Sequence, residues 1–331
     1  MAEAGVNHNG QLQLAKQLID AAKTAGCDAV KFQTFRSERL VSKKAQLAAY
    51  QKRHKSNNEQ NQWDLIKRLE LSWVEFKKLK EYCQKKKILF VSTPFDFESV
   101  DLLEKLNVPF LKISSGEVTN LPFLKYIAQK GRPVILSTGM STLKEVEEAV
   151  KVIVQTGNKN LVLLHCVTEY PAPVKEINLR AMLTLQKAFH FPVGYSDHTL
   201  GIEVAVAAVA LGARVIEKHL TLDRHLPGPD HRASLMPSEF QQMVMAIRNV
   251  EKALGDGIKR PASCEVKNLP IVRKSITAAE PIFKGELITS EKVTLKRPGY
   301  GLAPKFLPDV IGKRAAVNIA PDEPIQRKLL V

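Results

Sequence analysis

The sequence predicts an α/β protein: a (β/α)8 TIM barrel followed by a small, β-rich domain. Three observations predict it. Eight β-then-α units fill the first ~250 residues, the number and size expected of such a barrel. A Gly255-Asp256-Gly257 turn signal then interrupts the rhythm. Beyond it no long amphipathic helix recurs, and eight of the 18 prolines fall from Pro261 onward. At roughly 150 residues per domain, 331 residues allow about two domains. The expected division is a barrel over 1–254, a linker over 255–270 and a β-rich domain over 271–331.

Each element rests on its own pattern. Short β-branched runs mark strands at Met1–Gly5, Ala29–Phe32, Ile88–Ser92, Pro109–Ile113, Pro133–Leu136, Leu161–His165, Val193–Tyr195 and Val215–Glu217. Helical spacing follows each: Leu12–Ala25, Trp73–Lys86, Ser99–Leu106, Leu121–Gln129, Leu143–Gln155, Leu179–Ala188, Ile202–Leu211 and Pro237–Leu254. A doubly wound sheet uses similar units but usually fewer strands. One segment breaks the pattern. Arg36 to Gln62 is polar, with Lys43, Lys44, Gln51, Lys52, Arg53 and Lys55. It reads as a long loop on the face where barrels carry their chemistry. In the second domain, β-type runs are expected at Ser275–Ala278, Lys292–Lys296 and Ala315–Ile319.

Composition excludes several classes. With 44% hydrophobic and 25% charged residues, the chain is not intrinsically disordered. Its longest apolar run, Val204 to Leu211, is far short of the ~20 residues of a membrane span. Glu3 sits where a signal peptide would carry positive charge. Cys27, Cys83, Cys166 and Cys264 form no CxxC pair, so a reducing cytoplasm is expected. The net charge of +15 points to anionic ligands. It is spread over both parts of the chain, without a basic helix or an aromatic platform, so neither a nucleic-acid nor a membrane partner is expected.

Polar residues close every strand. A lone Ser or Thr there is usually a helix cap, but all eight strands carry them at the same end. Lys31 and Lys112 lie within strands, where an unpaired ammonium is costly to bury. They call for an anion, and Thr93, Ser115 and Ser137 could complete a phosphate or carboxylate cradle. His198 and His219 end adjacent strands and could share a divalent ion such as Mn²⁺, although either alone reads as a core histidine. Glu3 is a candidate general base or orienting group. Glu217 is a second candidate, two residues before His219 and so on the same strand face, or else a structural ion pair. The rigid PGPD turn presents Asp230 to sugar hydroxyls, and Arg297 in KRPGYG suits a carboxylate or acetamido oxygen.

These segments together resemble the sialic acid synthase family, most of all its bacterial N-acetylneuraminate and legionaminate branch. The resemblance is carried by AEAGVNHNG (2–10), VKFQTF (30–35), STPFD (92–96), KISSGE (112–117), LSTGM (136–140), LHCVTEYP (164–171), GYSDHT (194–199), IEKHLTLD (216–223), PGPDHRASL (227–235) and KRPGYG (296–301). It implies a barrel with a C-terminal antifreeze-like SAF domain, and a domain-swapped homodimer. The implied reaction is metal-dependent condensation of phosphoenolpyruvate with an N-acetylmannosamine-type sugar. His198 and His219 would hold Mn²⁺ or Mg²⁺. Lys31, Thr93, Lys112, Ser115, Ser137, Ser196 and, less consistently, Thr168 would bind phosphoenolpyruvate. Gln33, Glu117, Tyr170, Asp230 and, from the partner chain, Arg297 would meet the sugar, with Glu3 the catalytic carboxylate. Relatives carry residues ahead of the AEAG segment, so strand 1 is expected to pair incompletely and to anchor Glu3 poorly. The competing readings are a barrel synthase making an aldulosonic acid phosphate, which acts on phosphorylated aldoses, and a non-catalytic sugar-binding or nucleic-acid-binding protein.

Overall fold

The structure, a computed structural model, describes residues 1–47 and 61–331. Gln51, Lys52, Arg53 and Lys55 lie outside the described residues. The chain divides into two compact units, Met1–Gly255 and Asp256–Val331.

In the first unit eight parallel strands form one sheet: β1 (Ala2–Gly5), β2 (Ala29–Thr34), β3 (Leu89–Pro94), β4 (Leu111–Ile113), β5 (Val134–Ser137), β6 (Leu161–Cys166), β7 (Val193–Asp197) and β8 (Ile216–His219). Their order is β3-β2-β1-β8-β7-β6-β5-β4, so β1 joins the two halves and the sheet curls into a barrel. β3 and β4 are neighbours in space but share no hydrogen-bonded ladder. β1 pairs with both β2 and β8, Glu3 lying opposite Lys31 on one side and His219 on the other. The Met1 amine donates to the Ile216 carbonyl at 2.8 Å. The expected poor anchoring of Glu3 is therefore not seen.

The strands run further than their apolar runs suggest. β2 extends to Thr34, β3 to Pro94, β7 to Asp197 and β8 to His219. Polar side chains lower β-propensity, but ladder pairing overrides that preference: Ser196 lies opposite Glu217 and Asp197 opposite Lys218. These registers carry the site residues on rigid backbone rather than on loops.

The helices follow the apolar spacing. In Leu143–Gln155, Val146, Ala149, Val150 and Ile153 form the buried face, and Thr142 and Glu145 close a capping box at its start. Ser72 and Glu75 do the same for Trp73–Lys86. Gly194 has a steric reason: a Cβ there would come within 2.2 Å of the Val215 carbonyl oxygen, so β7 could not lie this close to the approach to β8. The core joins the inward faces of the outer helices to the outward faces of the strands, with Phe32, Phe90, Phe76 and Tyr195 among its largest side chains.

The segment expected to be a loop after β2 contains a helical turn at Ser37–Leu40, and its last residue opens a second helix, Gln62–Leu69. The second is eight residues long and capped by Asn61, whose side chain accepts from Asp64 N. Leu65, Leu69, Phe35, Val6 and Leu47 form a cluster separate from the main core. Its apolar residues are too few and too broken by charge for the sequence pattern to reveal them.

In the second unit, β9 (Ser275–Ala278) and β10 (Val293–Lys296) form an antiparallel pair around Ile276, Ile282, Ile288, Val310 and Ile325. The third run expected there, Ala315–Ile319, is not a strand. It makes only isolated bridges, Ala315 to Leu330 and Ile319 to Ile282. Residues 255–270 include a helical turn at Ser263–Val266 and the start of another at Leu269–Val272. No helix among the described residues is long and apolar enough to cross a membrane.

Candidate active site

The C-terminal ends of the strands open on a cavity of about 380 Å³. Its floor is ionic. In β8 the side-chain alternation turns Glu217 and His219 inward and Lys218 outward. Lys31 Nζ forms an ion pair with Glu3 Oε2 at 2.5 Å and donates to Thr93 Oγ1 at 3.0 Å. Gln33 Nε2 donates to the other Glu3 oxygen at 3.1 Å. Lys112 Nζ donates to Ser137 Oγ at 2.7 Å and to the Ile113 carbonyl at 3.1 Å. Ser196 Oγ donates to Glu217 Oε1 at 3.0 Å. Glu217 Oε2 has no hydrogen-bond partner, with Lys112 Nζ at 3.6 Å and Lys31 Nζ at 4.0 Å.

The two carboxyls are pushed apart. Burial raises Glu3 to about 7, outweighing the nearby Lys31. Burial alone would raise Glu217 too, but the charges of Lys112 and Lys31 bring it down to about 2. For Lys31, burial opposes the charge, and Glu217 and Glu3 outweigh it, so its pKa is raised. Burial prevails at Lys112 and lowers it. Such a split leaves one carboxyl able to exchange a proton near neutral pH while the other holds its charge.

The imidazoles of His198 and His219 face each other, ring centroids 5.3 Å apart, with the Tyr170 ring 4.1 Å from His198. His198 Nδ1 donates to the Val167 carbonyl at 2.7 Å, which leaves Nε2 for a ligand. Although burial opposes its charge, Cys166 and that carbonyl hold His198 up to about 9. Burial, reinforced by His198, takes His219 well below its usual value. Its Nδ1 is buried without a hydrogen-bond partner, 3.7 Å from Asp230 Oδ2. Among the described residues no three His, Cys, Asp or Glu side chains form a ready metal shell. Two imidazoles with an orphaned ring nitrogen and a nearby carboxylate nevertheless fit a divalent ion that keeps open positions for water or substrate.

Of the residues expected at the site, Glu3, Lys31, Gln33, Thr93, Lys112, Ser115, Ser137, Thr168, Tyr170, Ser196, His198, Glu217, His219 and Asp230 all line this cavity. Glu117 does not. It sits on the turn Ser115–Glu117, where Asn120 donates to it at 2.7 Å. Arg297 belongs to the second unit, exposed on the turn after β10.

Sequence reasoning missed two features. Cys166 lines the cavity, its Sγ 3.8 Å from His198 Nδ1. Its position two residues beyond Leu164 on the same strand face was the available signal. A Cβ on Gly139 would come within 2.3 Å of Thr168 Oγ1 and 3.2 Å of this sulfur, which is why the loop after β5 needs glycine. The other missed feature is an apolar wall that includes Val6, Phe35, Leu40, Leu65, Ile66 and Leu69.

Comparison with known proteins agrees with this arrangement. The NeuB family model matches residues 18–259, and the SAF domain model matches 273–331. The N,N'-diacetyllegionaminic acid synthase of Campylobacter jejuni is 50% identical over 98% of both chains. The enzyme of the same name from Legionella pneumophila is 48% identical over 97% of this chain and 91% of its own. Among solved structures, a sialic acid synthetase from Leptospira borgpetersenii superposes with a TM-score of 0.71 at 40% identity, covering 81% of this chain and 88% of its own. The chain is thus an enzyme that belongs to the NeuB family, with a C-terminal SAF domain.

Proposed function

We propose that this enzyme condenses phosphoenolpyruvate with the open-chain aldehyde of an N-acetylated amino sugar, giving a nonulosonic acid and phosphate. The observation that carries the reading is the pair of buried lysines, Lys31 and Lys112, beneath a cavity also lined by two imidazoles. A ligand with two anionic ends fits them: among the described residues Lys112 has no carboxylate at hydrogen-bond distance, and Lys31 pairs with Glu3 but not with Glu217.

Lys31, Lys112 and the hydroxyls of Thr93, Ser115 and Ser137 hold phosphate and carboxylate, with Ser196 and Thr168 beside them. C3 of the enol attacks the aldehyde carbon, and a C–C bond forms. The lysines, fixed before substrate arrives, hold phosphate and carboxylate while an oxocarbenium-like centre develops at C2. Glu3 takes a proton from the water that adds to C2. Of the water's two protons, one passes by way of Glu3 to the alkoxide left on the former aldehyde oxygen; the other leaves the C2 hydroxyl with phosphate as the C–O bond breaks, giving the new keto acid. Gln33, Tyr170 and Asp230 orient the sugar. Mn²⁺ or Mg²⁺ held by His198 and His219 would supply Lewis acidity to the aldehyde oxygen. The same proposal includes a homodimer in which Arg297 of a second copy reaches the sugar, and a cytoplasmic setting that suits four free thiols.

The test is phosphate release from phosphoenolpyruvate with Mn²⁺ and a panel of N-acetylated hexoses. Release with at least one acceptor is expected. Release only with phosphorylated aldoses would move the enzyme to aldulosonic acid phosphate synthesis, and no release with any acceptor would end the proposal. His198→Ala should abolish metal-dependent turnover with an unchanged circular dichroism spectrum. Near-normal metal-dependent turnover would refute the metal assignment.

A further inference from the structure

Asp230 reaches the cavity from the loop after β8, and its carboxyl is buried. Among the described residues no hydrogen bond holds that carboxyl, and His219 Nδ1 stands 3.7 Å from its Oδ2. The main chain holds it instead. The Asp230 carbonyl accepts from Ser234 Oγ at 2.7 Å and from Ala233 N at 3.1 Å. Ser234 Oγ in turn accepts from Asn7 Nδ2 at 2.9 Å. The same Asn7 amide donates to the Leu220 carbonyl, also at 2.9 Å.

Leu220 directly follows His219, and its N–H donates to the Glu3 carbonyl at 2.8 Å. Asn7 itself lies just past β1. One side chain therefore joins three stretches of backbone: the turn after Glu3, the strand end at His219 and the loop that carries Asp230. A second contact runs beside it, with His231 Nδ1 2.7 Å from Thr221 Oγ1 and Nε2 3.3 Å from Asn9 Oδ1. A Cβ on Gly228 would come within 2.7 Å of this imidazole, so the PGPD turn packs this closely only with glycine there.

Asn7 and Ser234 are buried and do not line the cavity, so neither can touch a substrate. The Asn7 amide commits both protons to the link, while its Oδ1 is buried without a hydrogen-bond partner. An orphaned acceptor of this kind lowers stability, and packing alone gives no reason to keep it. What the residue supplies is the pair of donated bonds. They matter because the aim of the Asp230 carboxyl follows its main chain, and a displacement of about 1 Å in such a group can cost about 100-fold in rate.

We infer that Asn7 is a positioning residue that acts through Ser234 to fix the Asp230 carboxylate opposite His219 and so to seat the acceptor sugar. The inference rests on the condensation proposed above, in which Asp230 orients that sugar.

The test reads kcat/KM for the acceptor as released phosphate, with N-acetylmannosamine or a 2,4-diacetamido-2,4,6-trideoxyhexose, whichever the wild-type enzyme turns over faster. Asn7→Ala and Ser234→Ala are each expected to lower it by about 10- to 100-fold. The loss should fall mainly on KM of the sugar, with KM for phosphoenolpyruvate within about twofold. Because the effect runs through Asp230, Asn7→Ala should cost less than about twofold when added to Asp230→Ala. A merely structural role would carry the same loss into both backgrounds. Ser234→Ala removes only a hydroxyl and tests the link if Asn7→Ala does not fold. An undiminished loss in the Asp230→Ala background, or near-wild-type turnover in either folded single variant, would overturn the inference and leave the condensation intact. No phosphate from the wild-type enzyme with any acceptor would instead remove the condensation, and the inference with it.

Discussion

Two buried lysines of the same barrel have opposite surroundings. Lys218, on the outward face of β8, donates to Asp197 Oδ2 at 2.6 Å and to the Thr199 carbonyl at 2.7 Å. The other Asp197 oxygen accepts from Thr199 N and Oγ1. Lys112, facing the cavity, has neutral oxygens within reach and its nearest carboxylate oxygen 3.6 Å away. Burial lowers both ammoniums. Burial therefore does not distinguish framework from active site; the completeness of the charge pairing does. The Lys218 pair is satisfied within the fold, whereas Lys112 retains attraction for an anion that the fold does not supply.

That contrast can be broken by exchanging the consequences. Lys112→Met is expected to reduce phosphate release by about 10³-fold, since it removes a charge placed for the reacting anion. A loss under tenfold would place Lys112 with the framework instead. Asp197→Ala leaves Lys218 buried without its carboxylate and should cost about 3–5 kcal/mol in denaturant unfolding. The remaining folded enzyme should keep its kcat/KM, and a selective loss of activity without loss of stability would reverse the assignment. Glu3→Gln has a smaller effect, about 10²-fold on kcat/KM. The sign of its pH dependence follows from the raised pKa: below about pH 7 Glu3 is protonated and cannot act as a base, so wild-type kcat/KM should climb through that range. In Glu3→Gln the climb should disappear. A variant that retains it would show that another group takes the proton.

Much of the fold was legible because it follows repeated local patterns. Helical faces such as Val146, Ala149, Val150 and Ile153 declare themselves by spacing alone. The polar strand ends were legible as a set because a barrel exposes one end of every strand to the same cavity. The strands' true extent was not, since the residues past Phe32, Ser92, Tyr195 and Glu217 are polar and gain their β conformation from neighbouring strands. The helix Gln62–Leu69 was hidden for a related reason: eight residues carry too few apolar positions to set a period, and its partners Phe35 and Val6 are distant in sequence.

By itself the sequence determined the repeating βα order, the small β-rich region at the end and the residue types that meet at the strand termini. Those depend on local spacing and composition, which a linear chain displays. Tertiary structure alone decided the pairing of Glu3 with Lys31, the short reach that leaves Glu217 Oε2 and His219 Nδ1 without hydrogen bonds, and the apolar wall opposite the ionic floor. Each of these depends on distances between residues far apart in the chain. Electrostatic and packing energies vary with those distances over a few tenths of an ångström to a few ångströms, and the order of residues does not encode them directly.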